Sequence, residues 1–155
     1  YIYNNCINFR SFSMTYEEWF LKQGKLHANV MKKLVDKTPD EVIEYFRFEN
    51  MVKNEPDFCP LYKDNKKCHD YEKLNCYLCA CPNFRFKMEG FEKTDDGKTL
   101  FSVCNIKSKD GSQYIGKDYI HQNCSGCIVP HREKYIKNHF NRNWFEVMKD
   151  VRKTN

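Results

Sequence analysis

A chain of 155 residues is the size of one domain, and 41% hydrophobic against 30% charged residues suits a folded soluble protein better than a disordered one. The net charge is only +5, Gly and Pro number 6 and 5, and no repeat is visible, which excludes collagen-like, coiled-coil and low-complexity classes. No apolar run approaches the roughly 18 residues of a membrane span, and none of the usual signs of a membrane partner is present.

Residues Tyr1–Ser13 lack the apolar run and small-residue cleavage site of a secretory signal, so a cytoplasmic, reducing setting is expected. Met14 reads as a natural start, which makes residues 1–13 an upstream or poorly ordered arm and Cys6 irrelevant to any site. Thr15 and Glu18 form a capping box that opens a helix. Trp19, Phe20, Leu26, His27, Val30, Met31 and Leu34 follow at helical spacing, predicting a helix that ends near Asp36. Thr38, Pro39 and Glu41 give a second start signal. Val42, Ile43, Tyr45, Phe46 and Phe48 supply apolar residues for a helix to about Lys53. Residues 14–56 are therefore expected to be an antiparallel helical hairpin.

The segment 57–131 changes character. It carries turn signals at Asp95-Asp96-Gly97 and Asp110-Gly111, and the runs Phe84–Met88 and Thr99–Val103 predict a β-hairpin with a long tip. Helical spacing returns after His131, with Ile136, Phe140, Trp144, Val147, Met148 and Val151 on one side and Asn141 or Asn143 as a break and new cap. Residues 132–155 are expected to be a C-terminal helix packed on the centre. The fold class expected is α+β: an irregular cysteine-rich centre with a short hairpin, flanked by helices. The charge is zero up to Pro56, +1 over 57–131 and +4 from Arg132 onward. Such a basic, aromatic tail suits nucleic-acid phosphates, but the reading preferred is a solvated helix face with its aromatic side turned inward.

Nine cysteines are present, and eight of them fall between Cys59 and Cys127. The strongest motifs are Cys76-x-x-Cys79 and Cys124-x-x-Cys127, since this spacing sets two sulfurs on one tight turn able to grip a single ion. Around them lie Cys59, Cys68, His69, Cys81, Cys104 and His131. These ten candidate ligands suffice for one or two tetrahedral sites. Structural disulfides fit poorly, because Cys-x-x-Cys pairs close tiny loops that constrain little chain entropy. A thioredoxin-like dithiol lacks its βαβ setting. Sulfur with some imidazole suits Zn²⁺, and an iron–sulfur cluster is the alternative, although the spacing around Cys81-Pro82 is wrong for ferredoxins. His121 is a weaker ligand candidate than His131, and His27 and His139 read as packed or half-exposed helix residues.

The run Cys59…Cys68-His69…Asn75-Cys76-x-x-Cys79-x-Cys81-Pro82…Cys104…Cys124-Ser125-x-Cys127-x-x-Pro130-His131 resembles the bacterial cysteine-rich small domain, a zinc-finger-like family. The resemblance spans Cys59 to His131, in a longer variant with an N-terminal helical hairpin. The Cys59–Cys68 gap and the Pro82–Cys104 segment are longer than in that family. The resemblance implies metal binding and supplies no reaction. The function expected is thus a metal-binding module, structural or regulatory, with an unidentified protein partner. Alternatives are an iron–sulfur or redox-metal accessory protein and a zinc-ribbon-like nucleic-acid binder, the latter disfavoured by the even charge of residues 1–131. No nucleophile elbow, phosphate loop, dinucleotide turn or His-Glu-x-x-His occurs, so no catalytic residue is assigned and an enzyme is the less favoured reading.

Overall fold

The computed structural model describes residues 15–87 and 92–152. The expected arm, with Cys6 and Met14, lies outside the described residues, as does Met88. The first helix, α1, spans Tyr16–Lys32 and opens on the reciprocal capping box, with the Thr15 side chain accepting from the Glu18 amide and the Thr15 amide donating to Glu18. Helix α2, Pro39–Tyr45, opens the same way on Thr38 and Glu41. Both starts follow from orphan amides at a helix N-terminus finding side-chain acceptors within three residues.

The second helix does not run on to Lys53 as the periodicity predicts. It breaks at Phe46-Arg47 and restarts as α3, Phe48–Asn54. The cause is a backbone partner from elsewhere. Arg47 bridges Asn75, the Phe48 amide donates to the Leu74 carbonyl at 3.0 Å, and the Cys76 amide donates to the Phe46 carbonyl at 2.9 Å. Helix geometry at Arg47 would spend those groups internally, so the docking of the segment before Cys76 ends α2.

The strands also pair differently from the expected hairpin. Strand β1 (Phe84–Phe86) pairs antiparallel with β3 (Ser102–Cys104), setting Phe84 opposite Cys104. Between them, β2 (Thr99–Leu100) leaves this pair and lies parallel to β5 (Tyr119–Asn123), which pairs antiparallel with β4 (Ser112–Ile115). The order of the second sheet is β2-β5-β4. Gln122 stitches the two sheets: its amide donates to the Ser102 hydroxyl at 2.8 Å, and its side-chain oxygen accepts from the Cys104 amide at 3.1 Å. The Asp95-Asp96-Gly97 turn is present, with Gly97 at φ 82, a conformation that side chains disfavour. The C-terminal helix is two short ones, α4 (Glu133–Asn138) and α5 (Trp144–Val147), and Asn143 caps the second by accepting from the Phe145 amide. The architecture is α+β, and among the described residues no helix is long and apolar enough to cross a membrane.

One apolar cluster joins the helices to the cysteine-rich centre. Phe20 meets Trp144 at 4.8 Å between ring centroids, and Phe46 meets Tyr77 at 4.9 Å. Tyr77 and Leu78 are the two middle residues of the first Cys-x-x-Cys turn, and both are fully buried. The turn is therefore anchored in the core by its own spacer residues, and the Tyr77 hydroxyl donates to the Asn141 carbonyl at 2.6 Å. His27 stacks on Phe46 within this core, and burial, weakly opposed by the Tyr77 backbone, holds its pKa down to about 3. It is a neutral packing residue and stands apart from the cysteines.

Candidate metal centre

Eight cysteines, Cys59 through Cys127, are described, and none of them forms a disulfide. They face two small cavities, four to each. Cys59, Cys68, Cys76 and Cys79 line one of about 20 Å³. Cys81, Cys104, Cys124 and Cys127 line another of about 30 Å³. His131 borders both, and His69 borders the second. All ten sequence-predicted ligands thus line these cavities, whereas the other histidines do not. His121 stacks on Phe101 in β5, and His139 stacks on Tyr135 and pairs with its carbonyl.

Local turns position the sulfurs. In the first Cys-x-x-Cys the Cys79 amide donates to the Cys76 carbonyl at 3.3 Å, and in the second the Cys127 amide donates to the Cys124 carbonyl at 3.0 Å. The Leu61 and Tyr62 amides are directed at the Cys59 sulfur, and the Asn83 and Phe84 amides at the Cys81 sulfur. The Ser108 amide lies 3.5 Å from the Cys104 sulfur and its hydroxyl 3.3 Å from the Cys127 sulfur. Donors aimed at sulfur favour the thiolate, the form that binds metal. Burial works the other way. It pushes the Cys59, Cys81 and Cys124 thiols up to about 12, helped by the neighbouring thiols of their own cavity, and raises Cys76 well above the usual range. Four neighbouring thiols that are partly or fully buried ionise together at neutral pH only with a cation to offset them.

Between the cavities sits the tightest donor group among the described residues: Cys68, His69 and His131, with ligand atoms all within 4.8 Å of one another. Nδ1 of His69 is 3.2 Å and Nε2 of His131 is 3.9 Å from the Cys68 sulfur. Each ring holds a backbone carbonyl with its other nitrogen, His69 Nε2 on Cys124 at 3.1 Å and His131 Nδ1 on Asn75 at 2.9 Å. These carbonyls fix which nitrogen carries the proton and turn the other toward sulfur. Zn–S and Zn–N bonds of about 2.3 and 2.0–2.1 Å imply a sulfur–nitrogen separation near 3.6 Å in a tetrahedron, a value that the two observed distances bracket. The distances at this mixed group fit zinc, and the four cysteines lining each cavity are the residue types of a tetrahedral sulfur site.

Three features escaped the sequence reading. Asn75 is fully buried, and its side chain donates to the Ile43 carbonyl at 2.8 Å and accepts from the Tyr77 amide at 2.9 Å. Tyr62 is buried beside Cys76 at the first cavity, its hydroxyl has no hydrogen-bond partner among the described residues, and burial raises its pKa. Ala80 and Cys81, between the two quartets, both take left-handed backbone conformations, at φ 89 and φ 57. Such geometry costs a non-glycine residue about 1–2 kcal/mol. Ala80→Gly is therefore expected to stabilise the protein by roughly 1 kcal/mol, with metal content unchanged. A chemical-denaturation midpoint that falls in this variant would refute the strain assignment.

No protein-family model, no curated protein and no solved structure matches this chain.

Proposed function

We propose that the protein is a cysteine-rich metal-binding module, with zinc as the ion and a structural or regulatory interaction role. The observation that supports it best is the gathering of eight cysteines, four about each of two small cavities, from positions spread between Cys59 and Cys127. Strands of two to five residues and irregular turns give this region little regular hydrogen bonding of its own. A bound ion would supply the missing constraint. Thiols in such number, none of them in a disulfide, suit a reducing cytoplasm.

Zinc is preferred to an iron–sulfur cluster because thiols with imidazoles beside them suit a single Zn²⁺ and the spacing around Cys81-Pro82 departs from ferredoxin motifs. A site saturated by thiolates leaves no open coordination position and is a weak Lewis acid, which favours scaffolding over hydrolysis. The partner is proposed to be a protein, since the charge excess is confined to the last residues, where Trp144 and Met148 turn inward.

The test is elemental analysis with a visible spectrum on protein purified without oxygen. Stoichiometric zinc and no visible absorption are expected. Iron with sulfide and a brown colour would replace this reading with a redox one, and protein free of any metal would end it.

A further inference from the structure

We infer that the chain carries two separate metal centres, built on two successive copies of one ligand order: Cys59, Cys68, Cys76 and Cys79 hold the first ion, and Cys81, Cys104, Cys124 and Cys127 hold the second. This rests on the metal-binding reading and goes beyond it in number, grouping and origin of the sites. In chain order, the first quartet reads Cys59-Pro60-Leu61-Tyr62, then Cys68, then Asn75-Cys76-x-x-Cys79. The second reads Cys81-Pro82-Asn83-Phe84, then Cys104, then Asn123-Cys124-x-x-Cys127.

The structure repeats along with the sequence. After each Cys-Pro the chain turns, with the Tyr62 amide donating to the Cys59 carbonyl at 3.0 Å and the Phe84 amide to the Cys81 carbonyl at 3.2 Å. Both aromatic residues are buried, at 4% and 1% exposure. In both copies the amides two and three residues on are aimed at the cysteine sulfur. Each Cys-x-x-Cys is preceded by an asparagine whose Oδ1 accepts from the amide two residues later, Tyr77 at 2.9 Å and Ser125 at 3.0 Å. Each copy closes on its own cavity.

The boundary is the tripeptide Cys79-Ala80-Cys81. Cys79 faces the first cavity and Cys81 the second, though only Ala80 separates them. Two consecutive left-handed residues, Ala80 and Cys81, turn the chain between the two. His69 and His131 lie at the seam, each with one ring nitrogen turned toward the Cys68 sulfur. A single ion at Cys68, His69 and His131 would leave seven thiols idle, among them the buried Cys76 and Cys127, and would give the matching turns no common purpose.

The experiment uses the full chain loaded with Zn²⁺ for native mass spectrometry and with ¹¹³Cd²⁺ for NMR. Two ions per chain and two cadmium resonances, both in the range of all-sulfur ligation, are expected. Cys59→Ser should remove or shift one resonance and Cys104→Ser the other, halving the tightly bound metal in each case. One ion in total, a resonance in the range of mixed sulfur–nitrogen ligation, or loss of the same resonance in both cysteine variants would each overturn the assignment while leaving metal binding intact. No bound metal in the wild-type chain would overturn the assignment and the metal-binding reading together. The wild-type ion count and cadmium spectrum decide the matter even if a variant fails to fold.

Discussion

Stripping metal from the protein with a strong chelator is expected to abolish its cooperative thermal transition. The tertiary signal of the aromatic core should be lost with it. Structural zinc sites contribute on the order of 10 kcal/mol to folding, comparable to the whole stability of a domain of this size, about 5–15 kcal/mol. The loss should spread beyond the cysteines, because the first Cys-x-x-Cys turn places Tyr77 and Leu78 in the same core as Phe46 and Trp144. Without an ion the turn keeps that packing only by leaving free thiols buried around an empty space. Cys76→Ser and Cys127→Ser should each lose metal and melt the centre, since these are the two most buried of the thiols. Near-ultraviolet circular dichroism during chelation and zinc re-addition measures the effect. Full metal content and an unchanged melting temperature in both variants would sink the assignment of these turns.

Asn75→Ala is expected to destabilise the metal-loaded protein by about 2–6 kcal/mol, the cost of leaving two buried backbone groups unpaired at roughly 1–3 kcal/mol each. Those groups are the Ile43 carbonyl and the Tyr77 amide, which the Asn75 side chain satisfies from a fully buried position. The residue joins three parts of the molecule. Its side chain ties α2 to the Cys-x-x-Cys turn, its bridge to Arg47 ends α2, and its backbone exchanges hydrogen bonds with His131 at 2.9 and 3.3 Å. The change should therefore weaken metal retention as well as unfolding free energy. Urea unfolding of the zinc-loaded variant provides the test, and a loss under 1 kcal/mol would show that water replaces the side chain.

Much of the candidate site is legible in the chain, since all ten ligand candidates line the two cavities. The repeated ligand order was legible too and was missed. A search for repeats of constant period passes over it, because the steps Cys59 to Cys68 and Cys68 to Cys76 are 9 and 8 residues while Cys81 to Cys104 and Cys104 to Cys124 are 23 and 20. The signal was the order of turn types, Cys-Pro followed by a lone cysteine and Asn-Cys-x-x-Cys, and this became visible only once the cavities had sorted the thiols.

By itself the sequence determined the features whose hydrogen bonds close within a few residues: the capping boxes at Thr15 and Thr38, the Asn143 cap and the two Cys-x-x-Cys turns. Such groups find their partners on the same turn whatever the rest of the chain does. The tertiary structure alone decided the break of α2 at Arg47, the departure of β2 from the expected hairpin to lie beside β5, and the division of eight thiols between two cavities. In each case the deciding partner is distant in sequence: Asn75 for Arg47, Ile120 for Leu100, Cys104 for Cys81. Periodicity and propensity describe a segment's own preferences, and a backbone group or a thiol that satisfies itself across the fold overrides them.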